Sequence, residues 1–527
     1  MKRVRIALVA TVLALPLAAA GPAAAASASA HEHGPRAKDD HYRVRAGHAL
    51  QDTVLGNDHD ATAVVRHTAA AHGTVTIGAD GTFHYTPAPG FHGRDSFTYT
   101  VSDAVKLYPT NLKPLATIGG VPIKGGAYGS ALTPVPGERD EFYGLTDRGP
   151  NVDAPDGGKI EPLPAFTPAI GKFRLRDGKA VLERTIPLRA KDGTPYNGQV
   201  SPQADTGEKI VDLNGNVLPK SANGYDSEGL VAQKDGTFWV SDEYGPFITH
   251  FGRDGRAIER LSPYDGSLPA ELKYRVPNKG MEGLALTPDG RTLVGVMQSA
   301  LQQPDLTKKP GNVTTLRIVT VDLRTRATHE YLYLLDDPDT TGTAVSEITA
   351  LSATRFLVDE RDGALEPGAF KKLFEIDLSG ATDVGPRAAG YDAVKGGVLV
   401  GGKSIDAYVG KDTTAEATKD LAAAGITPVS KKLHLDLGAL VTTLDPSGGF
   451  FGHDKVEGVA TTDGGRTLVI SNDNDFGIDG VTNAGPPYAL HVKTLPAGRQ
   501  DDGEYLAVDT TRLPAVTSTA TVTIDVR

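Results

Sequence analysis

Apolar residues in this chain come in short runs with period-two alternation, punctuated by Asp-Gly and Gly-Gly pairs, rather than at helical spacing. Residues Tyr225 to Phe247 show the pattern most fully: Asp226-Ser227-Glu228-Gly229-Leu230, an Asp235-Gly236 turn, Phe238-Trp239-Val240, then Asp242-Glu243 before Gly245-Pro246. Two apolar runs flanking Asp-Gly predict antiparallel strands joined by a tight turn, because glycine supplies the positive φ such turns need.

The unit recurs. Met281-Glu282-Gly283-Leu284 leads through Asp289-Gly290 to Thr292-Leu293-Val294, and Ser346-Glu347-Ile348 leads to Phe356 and on to Asp359-Glu360-Arg361. Val456-Glu457-Gly458-Val459 leads past Asp463-Gly464 to Ser471-Asn472-Asp473, and a degenerate copy ends in Thr146-Asp147-Arg148-Gly149-Pro150. The glutamates stand 54, 65 and 110 residues apart (282−228, 347−282, 457−347), and the last interval has room for two units. Repeats of this order, each a few strands, predict an all-β fold, a β-propeller of six blades, with five to seven compatible with the spacing. One helix is expected, from Thr413 to Ala424, with Thr413 and Glu416 as a capping box and Gly425 as its stop.

Upstream, alternating runs at Thr74–Ile77, Thr82–Tyr85 and Ser96–Val101 predict a small antiparallel sandwich over 41–103. The words Val54-Leu55-Gly56-Asn57-Asp58, Gly81-Thr82-Phe83-His84-Tyr85 and Asp95-Ser96-Phe97-Thr98-Tyr99 resemble the immunoglobulin/cadherin-like repeats of bacterial exported proteins. Such a module closes with one more strand, missing after Asp103 but present at Ala520-Thr521-Val522-Thr523-Ile524-Asp525-Val526. The expected arrangement is therefore a propeller (104–513) inserted into the sandwich, with 516–527 completing it; a separate terminal strand is the alternative.

At 527 residues the chain is long enough for two domains. Lys2, Arg3 and Arg5 before an apolar run to Ala20 and small residues to Ala30 read as a secretory signal peptide (1–30), followed by a polar leader (31–40) expected to be disordered. No later stretch has the length of a membrane span, so a secreted, extracellular protein is expected. A net charge of −11 argues against a nucleic-acid surface and suits divalent cations, and the absence of cysteine excludes disulfides and thiolate chemistry.

Three sets of residues are candidates for chemistry. Glu228, Glu282 and Glu457, with Glu347, either form a ring of carboxylates holding a cation or each accept backbone hydrogen bonds from a neighbouring blade. The strand-end residues Asp147, Arg148, Asp242, Glu243, Glu360, Arg361, Asp473 and Asp475 differ between copies, which is how a repeat fold makes an asymmetric site. They would supply oxygen ligands to Ca²⁺ or Mg²⁺ and arginine forks to a phosphate, or else tie blade ends together. Lys279, His453 and Lys455 precede Glu-Gly entries and would add positive charge or acid–base function at a substrate.

The large domain resembles the phytase-like family, labelled "esterase-like activity of phytase", on the words Gly144–Asn151, Asp226–Leu230, Trp239–Pro246, Asn278–Leu284, Lys455–Gly458 and Ser471–Gly477. The resemblance implies a propeller that hydrolyses phosphate esters, a small-molecule ester being the expected partner. The motifs of the calcium-dependent propeller phytases are not found, nor is a Gly-x-Ser-x-Gly elbow, a His-Glu-x-x-His, a Walker loop or a dinucleotide fingerprint. The expectation is water attack assisted by a divalent cation, Ca²⁺ first, and by arginines. A non-catalytic binding propeller, attached to a cell surface or matrix through the sandwich, and a calcium-dependent lactonase-like hydrolase are the other readings.

Overall fold

A computed structural model describes residues 34–205 and 207–527. The signal peptide and the first residues of the leader lie outside the described residues. The rest of the leader is not disordered, as expected, but tied to the sandwich: Arg36 and His59 exchange backbone hydrogen bonds, Ala37 N donates to Ser518 Oγ at 3.0 Å, and Asp40 is buried.

The sandwich pairs two sheets. One runs in the order Asp40–Val44, Thr517–Val526, Gly93–Ser102, Ala63–His67; the other runs Leu50–Thr53, Thr82–Pro87, Gly73–Ile77. The last strand of the chain thus lies inside the first domain, antiparallel to Gly93–Ser102 and parallel to Asp40–Val44. Its alternation explains the placement. Ala520, Val522, Ile524 and Val526 turn inward onto Phe97, Tyr99 and Val101, while the residues between them face outward. Ala63 and Val65 of the sandwich continue into a core shared with Val105, Leu440, Leu506 and Val508 of the larger domain, and Asp103 pairs with Arg512 at 3.1 Å where the chain crosses between them.

Among the described residues the larger domain is a ring of five four-stranded sheets, one fewer than the six expected and within the five to seven that the spacing allowed. The inner strands are Ala131–Pro134, Ser227–Ala232, Met281–Leu286, Ala344–Ala350 and Val456–Ala460, heading blades 1 to 5. Blade 5 takes its outermost strand, Val105–Pro109, from the start of the domain, which seals the ring. The long interval between Glu347 and Glu457 holds a single blade. Its strands Lys371–Asp377 and Ser430–Asp436 are separated by an insertion carrying the helices Ile405–Val409 and Thr414–Ala423, the latter with the capping box of Thr413 and Glu416.

A ring of five demands close approach of its inner strands, and the glycines of the Glu-Gly words provide it. A Cβ on Gly229 would stand 2.6 Å from Glu282 O and 2.7 Å from Leu284 N in the next blade, and one on Gly283 would stand 2.5 Å from Ile348 N. Hydroxyls then tie blade to blade: Ser227 Oγ donates to Thr146 O at 2.7 Å and Ser241 Oγ to Glu282 O at 2.7 Å.

Candidate functional site

Four of the inner strands carry a β-bulge where the Glu-Gly word begins, shown by register shifts at Ser227/Leu230, Met281/Leu284, Val345/Glu347 and Val456/Gly458. A bulge adds one residue and re-aims a side chain. In blades 2, 3 and 5 the glutamates Glu228, Glu282 and Glu457 line a cavity of about 500 Å³ at one end of the ring. The end of each second strand supplies one more residue to the same cavity: Asp147, Glu243, Gln298, Arg361 and Asp473. Arg148, Lys279, Lys455 and Asp475 complete the set of predicted residues brought together there.

Three predicted residues are not in the cavity. Asp242 and Glu360 each precede a cavity residue by one position, so strand alternation sends them to the opposite side. Asp242 accepts from the backbone N–H of Asp226 (3.3 Å) and Gly245 (3.1 Å), fixing the loop behind the site. Glu360 accepts from Tyr333 Oη (2.7 Å), Asp336 N (2.8 Å), Thr343 Oγ (3.0 Å) and Lys431 Nζ (2.6 Å), tying the outermost strand of blade 3 to blade 4. His453, read as a substrate-binding residue, is fully buried between Asp501 (2.9 Å) and Glu504 (3.1 Å). Burial opposes its charge, but these two carboxylates outweigh it and push its pKa up to about 9. It is a structural cation.

Glu347 differs from its counterparts. Its carboxylate accepts from Leu284 N (3.3 Å) and Ile348 N (2.9 Å) on the ring axis, so the backbone-acceptor role anticipated for every repeat glutamate falls to this one. A separate cavity of about 480 Å³ opens at the other end of the ring, lined by Leu132, Val231, Ala285, Ile348 and Val459 among others.

Within the site, carboxylate oxygens of Asp226, Glu228 and Glu243 lie within 4.8 Å of one another. Asp226 was not among the expected residues; the signal was its place two positions before Glu228, in the same acidic word. Burial raises the carboxyl pKa of Glu228 and Glu243 well above the ordinary range, and the neighbouring carboxylates raise it further. Glu282 is raised to about 8 by burial and by Glu457, and Asp473 to about 7 by burial. Asp147 is also raised, by burial and by Asp473 and Asp226. Glu243 Oε1 and Glu282 Oε2 are buried without a hydrogen-bond partner.

The cations are arranged unequally. Lys455 Nζ donates to Asp473 (3.0 Å) and Asp475 (2.6 Å), and Lys493 reaches Asp475 at 2.6 Å from behind. Burial opposes the charge of Asp475, but these two lysines hold its carboxyl below the usual range. Arg361 donates to Glu457 and, at 3.0 Å, to Ser346 Oγ. Arg148 is 2% exposed and lies 4.8 Å over the Tyr244 ring, yet none of its three side-chain nitrogens has a hydrogen-bond acceptor. Its nearest carboxylates are Glu208 at 3.5 Å and Asp226 at 3.9 Å. The carboxylate cluster is compatible with a divalent cation.

A family model described as "esterase-like activity of phytase" matches residues 124–476, and one for a bacterial Ig domain matches residues 32–110. An uncharacterised secreted protein of Arthroderma benhamiae is 30% identical over 228 residues, 34% of this chain and 44% of that protein, so the chain spans less than half of that relative. Among solved structures, a protein from Lactobacillus plantarum aligns over 79% of this chain and 99% of its own, at 9% identity and a TM-score of 0.32. Regucalcin of Agrobacterium tumefaciens, described as a calcium-binding protein, aligns over 76% and 96%, at 10% identity and a TM-score of 0.29. The five-bladed ring is read from its own sheets. Among the described residues no helix is long and apolar enough to cross a membrane.

Proposed function

The chain belongs to the phytase-like family, and from that premise we propose that it is an exported hydrolase of phosphoric esters working in the mouth cavity with a divalent cation. One observation carries the reading: the Asp226, Glu228 and Glu243 cluster stands beside the unpartnered guanidinium of Arg148. Three buried carboxyls so close together repel unless protons or a cation neutralise them, and Glu243 Oε1 has no other partner. Their all-oxygen donor set fits a hard cation, and Ca²⁺ better than Mg²⁺, since Ca²⁺ tolerates irregular geometry. A cation held there would neutralise phosphate oxygens and lower the pKa of water.

The remaining roles belong to the chain's own side chains. Arg148 offers a planar fork to two phosphate oxygens, and its stacking on Tyr244 fixes the plane of that fork. Lys279, held by Gln298 Oε1 at 3.2 Å, adds a second positive charge. Glu282 Oε2, on a residue lining the cavity, is without a hydrogen-bond partner and would exchange a proton with the leaving oxygen. The sandwich, sharing a core with the propeller, would present the mouth rigidly to whatever it is attached to.

The test is phosphate release from aryl phosphates and phytate by the mature protein, with Ca²⁺ and with chelator, alongside melting temperature. Release that chelator suppresses is the expected result. No release in either condition, with no effect of chelator on melting, would remove both the enzyme and the cation.

A further inference from the structure

We infer that the substrate of this cavity carries a single phosphate on an uncharged, hydroxyl-rich body, a sugar or polyol monophosphate, rather than several phosphates. The inference rests on the phosphoric-ester reading above and narrows it.

Five cationic side chains line the cavity: Arg148, Lys159, Lys279, Arg361 and Lys455. Three are already committed to carboxylates. Lys159 pairs with Asp153 at 2.8 Å, Arg361 with Glu457, and Lys455 with Asp473 at 3.0 Å and Asp475 at 2.6 Å. A substrate phosphate would share those charges with the carboxylates already on them. Among the described residues lining the cavity, two cations have no carboxylate at hydrogen-bond geometry: Arg148, whose ion pairs with Glu208 and Asp226 are long at 3.5 and 3.9 Å, and Lys279. Arg148 has three nitrogens without an acceptor, and Lys279 donates to the neutral amide of Gln298.

These two free cations bear on the same place. Arg148 stands 3.9 Å from Asp226, and Gly280, the residue after Lys279, packs against the backbone carbonyl of Glu243, so both cations flank the same carboxylate cluster. Their convergence provides for one dianion beside the cluster. A second or third phosphate on the same molecule would meet Glu228, Glu282, Glu457 or Asp473 instead, which offer it no cationic donor.

The same walls suit hydroxyl groups. Carboxylates accept their protons, and Asn151, Asn278 and Gln298 offer both donors and acceptors. Apolar lining is sparse, limited to Val152, Pro277 and Ile478 with the stems of longer residues, which gives a lipid or large aromatic body little to pack against. A cavity of about 500 Å³ leaves room for a hexose-sized body next to the phosphate.

The experiment compares glucose 6-phosphate, glycerol 3-phosphate and phytate as substrates of the full mature chain with Ca²⁺. Calorimetric binding of glucose 6-phosphate, phytate and glucose is measured in parallel. The expected result is a kcat/KM at least tenfold higher for either monophosphate than for phytate, with glucose binding at least tenfold more weakly than glucose 6-phosphate. Phytate cleaved as well as the monophosphates would overturn the inference and leave the phosphoric-ester reading standing. Glucose binding as tightly as its phosphate, or no binding and no release with any ester, would overturn both.

Discussion

Glu347 stands in blade 4 where blade 5 has Gly458. Glu347 pairs with Asp359 as Gly458 pairs with Ser471, each one residue past the extra residue of its bulge, which is Ser346 in one blade and Glu457 in the other. The Ser-Glu-Ile word is therefore shifted one place against Val-Glu-Gly. Its glutamate points to the ring axis and binds backbone, while the true counterpart of Glu457 is Ser346, whose hydroxyl accepts from Arg361. Replacing Glu347 with alanine leaves the buried N–H groups of Leu284 and Ile348 without acceptors, at about 1–3 kcal/mol each. Thermal melting should show that loss, and calorimetry should show Ca²⁺ affinity within about twofold of wild type.

Gly283 tests the tightness of the ring. Alanine there puts a Cβ 2.5 Å from Ile348 N and 2.7 Å from Glu347 Cα, against backbone that cannot swing aside. A destabilisation on the order of 3 kcal/mol or more is expected. Gly290→Ala, at φ +73° in open space, should cost only about 1 kcal/mol. Denaturant midpoints of the two variants check the contrast.

His453 sets an alkaline limit. Its folded pKa of about 9 lies above the ordinary 6.5, so its contacts with Asp501 and Glu504 stabilise fully below pH 6.5 and fade as pH rises to about 9. The contribution is on the order of 3 kcal/mol from that shift. Wild-type melting temperature should fall across this window. His453→Gln should melt lower at pH 6, because it leaves buried Asp501 and Glu504 with only Lys493 (3.3 Å) and Arg499 (2.7 Å) as cationic partners, and should vary less between pH 6.5 and 9.

Cation binding should release protons. Burial and mutual repulsion keep Glu228 and Glu243 protonated above the ordinary carboxylate range, and a cation takes the place of those protons. Calcium titrations at pH 7 in two buffers of different ionisation enthalpy should report about one proton or more released per ion. Glu243→Gln should weaken binding at least tenfold and reduce the count.

Removing residues 516–527 tests the domain arrangement. The deletion takes Val522, Ile524 and Val526 out of the sandwich core and exposes the edge of Gly93–Ser102 along its length. The truncated protein should expose apolar surface and aggregate, as read by dye binding and light scattering, whereas a dispensable tail would leave melting unchanged.

Much of this fold was legible in the repeats. Alternation and Asp-Gly turns indicate strands, recurring Glu-Gly entries indicate blades, and the orphan strand Ala520–Val526 has the inward pattern that the truncated sandwich lacks. The blade number was hidden because an insertion with two helices and a small three-stranded sheet lengthens blade 4 without adding a four-stranded blade. The site was legible by position but blurred by one residue. Asp242 and Glu360 are as acidic as their neighbours, and only strand register shows that Glu243 and Arg361 face the mouth. Asp226 was visible in its motif, but the contact that joins it to Glu243 comes from the second strand folding back beside it.

The proposed function needs Asp226, Glu228 and Glu243 to hold a cation next to an Arg148 that grips phosphate. The most direct measurement is steady-state phosphate release from an aryl phosphate monoester by wild type, Glu243→Gln and Arg148→Lys, each with saturating Ca²⁺ and with chelator. Release by wild type that needs Ca²⁺, falls at least 100-fold in Glu243→Gln and falls 10- to 100-fold in Arg148→Lys, where charge stays but the fork is lost, is the predicted result. Equal release with chelator, or unchanged rates in both folded variants, would contradict it.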